Sequence, residues 1–233
     1  MRNNKDKADH SQNLRLILTF SNLKSLQAEI VPQLVTQFET DFSVKLTEEN
    51  QSISDTLAKI ERTLFTKYTR PIIERLTVTI QTGVASSTWV PNTPRPTEVK
   101  PYVYDVLLQL VYVHTEVSSA TPNLCSQILS YLLEQVSKAL LEAFRKRGRY
   151  PLPALMQATL DVEFIAQTLS QYSTEQASQS QSEIYLLLDQ GTDASARARL
   201  QSELGDMRNT LKRLRESTKS EFACFKKEKR PGK

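Results

Sequence analysis

The sequence predicts an all-α fold of long helices stacked as small bundles, and three observations support that expectation. The 233 residues include only 5 glycines and 10 prolines, few turn formers for a many-stranded protein or a glycine-rich nucleotide fold. Apolar residues recur at spacings of three and four over long stretches, the repeat of a helix with one buried side. Hydrophobic residues make up 39% of the chain, enough at this length to enclose a core without metals or cross-links.

From Asn13 to Ile30 the repeat runs through Leu16, Ile17, Phe20, Leu23, Leu26 and Ile30, with Arg15, Lys24 and Glu29 on the polar side. Pro32 is expected to end or kink this helix, because it lacks an amide hydrogen and its ring crowds the preceding turn. Leu34, Val35, Phe38, Phe42, Leu46, Ile53, Leu57, Ile60, Leu64, Ile72, Leu76 and Ile80 extend the pattern as two or three helices, with an irregular stretch at Thr47 to Ser54. Pro71 marks a second kink or a first helical turn, and Gly83 a stop.

Pro91, Pro94, Pro96 and Pro101 exclude a helix interior, so 86–101 is expected to be an extended linker. It separates a helical segment over 1–85 from a carboxy-terminal bundle over 102–230. The β-branched residues of Tyr102 to Val117 allow a strand, but the three-to-four spacing outlasts a normal strand and favours a helix. Thr121 and Pro122 resemble a cap and first-turn proline for Leu124 to Arg147. Pro151 and Pro153 open a helix carrying Leu155, Leu160, Phe164, Ile165 and Leu169, and Ser173 or Thr174 caps the next, which Gly191 closes. A final helix is expected from Asp193 toward Lys227.

Catalytic signatures are sparse. His10 and His114 are the only histidines and have no ligand-spaced cysteines or carboxylates, so no metal site is expected. Cys125 and Cys224 suit a reducing compartment, and neither has a base placed by sequence. Asp161 and Glu163 lie about 200° apart around a helix, which prevents a close carboxylate pair. Neither a P-loop nor a dinucleotide fingerprint occurs, so no enzyme activity and no cofactor are expected.

Charge is concentrated at one end. The net +4 comes from 30 basic and 26 acidic residues, but 197–233 alone hold 12 basic and 5 acidic side chains. Arg208, Lys212, Arg213, Arg215, Lys219, Lys226, Lys227, Lys229 and Arg230, with the earlier Arg145, Lys146, Arg147 and Arg149, form a candidate basic interaction surface. Interleaved stacking aromatics and zinc ligands are missing, so nucleic acid is not an expected partner. A basic helical module acting alone on anionic phospholipid membranes is the alternative function. Leu16, Phe20, Phe164, Phe222 and Phe225 are candidate core or partner-packing residues.

Three stretches carry a family resemblance: Arg95 to Val103 (RPTEVKPYV), Val113 to Ser119 (VHTEVSS) and Leu155 to Phe164 (LMQATLDVEF). Ser220 to Lys226 (SEFACFK) continues it, and Leu14 to Phe42 is similar to the preceding helical region. The sequence resembles the carboxy-terminal region of the second component of the exocyst, particularly its filamentous-fungal form. The resemblance implies a rod of stacked bundles, without a reaction, in a complex that tethers secretory vesicles to the plasma membrane before fusion. It implies other exocyst subunits as partners, with anionic phospholipid and a small GTPase as further partners of the full-length protein. It also implies a cytoplasmic chain, peripheral at the plasma membrane where exocytosis is polarised, at bud or hyphal tips and septa. In a longer protein, the face from Leu14 to Leu23 is expected to pack on a helix preceding this sequence.

Overall fold

The computed structural model describes residues 2–86, 89 and 95–226, with side chains from His10 onward. All regular structure among these residues is helical, in agreement with the apolar spacing. Helix α1 (Arg2–Ser25) passes through a π-helical turn (Leu26–Ile30) into α2 (Val31–Phe42). Then come α3 (Thr47–Ser86), α4 (Pro101–Ala120), α5 (Pro122–Arg147), α6 (Leu152–Thr168), α7 (Glu175–Gln190) and α8 (Ala194–Ser217). Short 3-10 turns lie at Ser170–Tyr172 and Ala223–Phe225.

The breaks fall where local chemistry places them. Pro32 does not end its helix: the Val31 amide reaches back to the Leu26 carbonyl, and this widened turn absorbs the ring and the missing donor. The interruption lies at Ser43 to Leu46, where Ser43 takes a left-handed φ of 54° and Glu39 Oε1 accepts the Leu46 amide at 2.7 Å. Thr47 to Ser54 is helical instead of irregular, with Glu48 and Glu49 complementing the positive start of α3.

Helix α3 continues through both Pro71 and Gly83. Gly83 is not a stop. A methyl group there would overlap Tyr102, whose Cγ lies 2.6 Å from the position it would occupy, so the missing side chain lets the Tyr102 ring approach.

Thr121 does not cap through its side chain, since its buried hydroxyl has no hydrogen-bond partner among the described residues. Thr174 and Asp193 do cap, accepting the amides of Ala177 at 3.2 Å and Ala196 at 2.7 Å. Helix α8 stops at Ser217, short of the expected end. The Leu214 carbonyl accepts both the Thr218 amide, at 3.0 Å, and its hydroxyl, at 2.8 Å, and the chain then turns so that Phe222 and Phe225 are buried.

The chain divides into two compact units, Met1–Ile72 with Thr115–Cys125 and Ile73–His114 with Ser126–Lys233. In the first, Ile17, Phe20, Leu23, Tyr68 and Ile72 are buried, and Phe20 meets Phe65 at 5.7 Å between ring centres. Lys24 pairs with Glu61 at 2.6 Å. Residues of the same chain therefore cover the face that was expected to need an outside helix; only Leu14 and Leu16 on it remain half-buried. The second unit is built around fully buried Trp89, Val103, Leu107, Leu132, Phe144 and Phe164, with Met207, Leu211 and Leu214 buried on α8.

Candidate functional site

Two of the stretches quoted for the resemblance, Arg95 to Val103 and Leu155 to Phe164, meet inside the second unit. Asp161, with no exposed surface, accepts the Lys100 amide at 3.0 Å, Gln157 Nε2 at 2.9 Å and the Tyr102 hydroxyl at 3.1 Å. Gln157 Nε2 also donates to the Glu98 carbonyl at 2.9 Å. A residue of α6 thus satisfies the backbone entering α4 and places a carboxyl group at that helix's positive end. Burial pushes the carboxyl up to about 7, against the opposing pull of the Lys100, Gln157 and Tyr102 hydrogen bonds. Asp161 acts as a clamp for the chain at 98–102 and is not one of a carboxylate pair. The available signal is its position on the buried stripe Ala154, Gln157, Asp161 and Phe164, spaced by three and four.

The same region is held from α8. Arg95 Nε pairs with Glu203 Oε2 at 2.6 Å and its NH1 with Asp206 at 2.5 Å, while Arg213 donates to the Thr97 carbonyl at 2.8 Å. Arg213 is therefore engaged within the chain.

Aromatic rings seat the end of the chain. Phe164 lies between Tyr104 and Phe222, at 5.8 and 6.2 Å. Phe225 stands parallel to Phe222 at 6.4 Å and edge-on to His114 and Tyr172, each at 6.1 Å. Burial lowers the His114 pKa, favouring the neutral ring, and raises that of Cys125, whose Sγ lies 3.4 Å from Ser118 Oγ. Both shifts suit packing better than acid–base or thiolate chemistry. Among the described residues, no group of three histidine, cysteine or acidic side chains is placed to hold a metal ion.

The candidate basic residues separate into two groups. Arg145, Lys146, Arg147 and Arg149 are exposed around the end of α5. Arg145 lies 3.9 Å from Glu183, Arg147 covers the Trp89 ring at 5.2 Å, and Lys146 and Arg147 border Gln81, Val84 and Ala85 of α3. Arg208, Lys212, Arg215, Lys219 and Lys226 instead line one groove of about 680 Å³, together with Gln167, Thr168, Ser170 and Gln171. Lys227, Lys229 and Arg230 lie outside the described residues.

An exposed apolar strip, whose residues were read only as continuing the helical repeat, occupies the first unit. Helix α2 has no buried residue, although its periodicity is that of a core helix. Leu34 and Phe42 are 61% and 64% exposed, Ile30, Phe38 and Val44 are exposed beside them, and the Phe38 and Phe42 rings meet at 4.5 Å.

A helical scaffold with a row of cations and an exposed apolar strip, in which His114 and Cys125 serve packing, defines a helical interaction protein. Its family is the one described as Exocyst complex component Sec5, whose profile matches residues 1–225, and the chain belongs to it. It is similar to Exocyst complex component 2 of Homo sapiens, 22% identical over 91% of this chain and 22% of the human protein. The Mus musculus protein of the same name is 20% identical over the same shares. The chain thus spans about a fifth of the length of these relatives. No solved structure matches it significantly. No described helix is long and apolar enough to cross a membrane.

Proposed function

We propose that this chain is the carboxy-terminal helical portion of an exocyst subunit and that it works by protein–protein contact, without a reaction. Within that complex it contributes to tethering secretory vesicles at the plasma membrane before fusion, acting from the cytoplasm at sites of polarised exocytosis. Membership of the family supports the assembly role, and the exposed face of α2 is the observation that carries the contact. Burying Leu34, Phe38 and Phe42 would contribute roughly 1.5–3 kcal/mol each before the costs of association. An amphipathic helix with its apolar side in water is the half of an interface that another helical subunit completes. A small GTPase and anionic phospholipid are proposed partners of the full-length protein.

Co-expression with the other exocyst subunits tests the proposal. The chain should co-purify with at least one of them at moderate salt, and Leu34→Asp with Phe38→Asp should abolish recovery. Recovery of none, or equal recovery with the double variant, contradicts it.

A further inference from the structure

The groove beside α8 has a different character from the α2 strip and does not enter the assembly argument. Arg208, Lys212 and Arg215 occupy successive turns of one α8 face, ~10 Å along the helix axis, and Lys219 and Lys226 extend the row beyond its end. Arg208 and Lys212 make no ion pair or hydrogen bond among the described residues. Arg215 reaches Gln167 Oε1 at 3.0 Å and Lys219 reaches Glu216 at 2.9 Å. Glu216 is the one carboxylate among the groove's lining residues, and Lys219, with Lys226 and Lys212 behind it, pulls its pKa down. The lining from the end of α6, Gln167, Thr168, Ser170 and Gln171, is polar and uncharged, and the buried Leu211, Phe222 and Phe225 supply its apolar part.

The shape and spacing select the occupant. A flat leaflet meets a row of cations on a convex surface more readily than inside a recess. A single phosphate would use one or two of these side chains and leave the others unmatched. A helix bearing carboxylates on successive turns repeats at the spacing of Arg208, Lys212 and Arg215, so each charge meets its opposite along the row. The remaining sequence of this chain has the wrong sign: after Lys226 it adds four basic residues and one acidic residue.

We infer that the groove between α8 and the end of α6 binds an acidic amphipathic helix of a partner protein, with carboxylates on successive turns facing Arg208, Lys212 and Arg215. The occupant's narrow apolar edge meets Leu211.

Fluorescence anisotropy of the whole chain with a labelled synthetic helix tests this inference. One peptide carries glutamates at i, i+4 and i+7 beside a leucine stripe, and its twin carries glutamine at those positions. The glutamate peptide should bind, more weakly as salt rises, and the glutamine twin should bind roughly tenfold or more weakly. Arg208→Glu with Lys212→Glu should cause a comparable loss with an unchanged unfolding temperature, since both side chains are exposed. Lys146→Glu, in the other basic group, should leave binding intact. Equal binding of the two peptides, or no effect of the double variant, overturns the inference. Sedimentation with phosphatidylserine vesicles that depends on Arg208 and Lys212, with no peptide binding, also overturns it, in favour of a lipid surface.

Discussion

Replacing Asp161 by asparagine tests the description of the clamp in both sign and size. In the folded chain burial holds the carboxyl up at about 7, against an ordinary value of 3.8. Between these values the native state binds a proton that the unfolded chain has released, so stability falls as pH rises through this window. Stability is greatest below about 4 and its loss is complete above about 7. For shifts of this size, linkage gives a loss of roughly 2–3 kcal/mol between pH 5 and pH 8. Asparagine removes the titration and keeps the geometry: Oδ1 still accepts from Lys100 and Gln157, and Nδ2 donates to the Tyr102 oxygen. Urea unfolding from pH 5 to pH 8 should therefore show the variant gaining on wild type by roughly 2–3 kcal/mol as pH rises. Asp161→Ala, which removes the acceptor of the Lys100 amide, Gln157 Nε2 and the Tyr102 hydroxyl, should lose several times ~1 kcal/mol at every pH. Parallel stability curves for wild type and Asp161→Asn would refute a buried carboxyl that titrates near neutrality.

Three further outcomes follow from packing. Phe164→Ala should cost ~3–5 kcal/mol in denaturant unfolding, because the ring is fully enclosed between Tyr104 and Phe222; a cost below 1 kcal/mol would contradict that packing. Gly83→Ala should lower stability by ~1–3 kcal/mol in the same assay, even though alanine is the better helix former, because the overlap with Tyr102 outweighs propensity. Leu34→Asp with Phe38→Asp should leave the unfolding midpoint of the isolated chain nearly unchanged, since neither side chain is buried; a large drop would show that α2 is part of the core.

Much of the helical architecture was legible because apolar spacing is a local signal. Thr174 was readable as one of two cap candidates, and Asp193 as the start of the last helix, because a capping atom and its amide lie three residues apart. Gly83 misled because its strong local meaning as a stop is overridden by tertiary context, whereas the irregularity expected at Pro32 takes the form of a π turn and not a helix end. A π turn absorbs Pro32, and Gly83 answers to Tyr102, a residue 19 positions away. Periodicity could place Asp161 on the buried stripe of α6 but could not name its partners Lys100 and Tyr102, which lie about 60 residues earlier. The basic residues were visible by composition, but only the fold separates Arg213, which holds Thr97, from Arg208 and Lys212, which face the groove. Periodicity alone gave no way to tell the exposed α2 strip from a core face, since both obey the same repeat.

Hydrogen–deuterium exchange of the chain, alone and with the other exocyst subunits, tests the proposed assembly contact most directly. Residues 31–44 should gain protection on complex formation, while Leu155 to Phe164, already enclosed, should be protected equally in both states. A complex that forms while residues 31–44 exchange as freely as before would contradict assembly through α2.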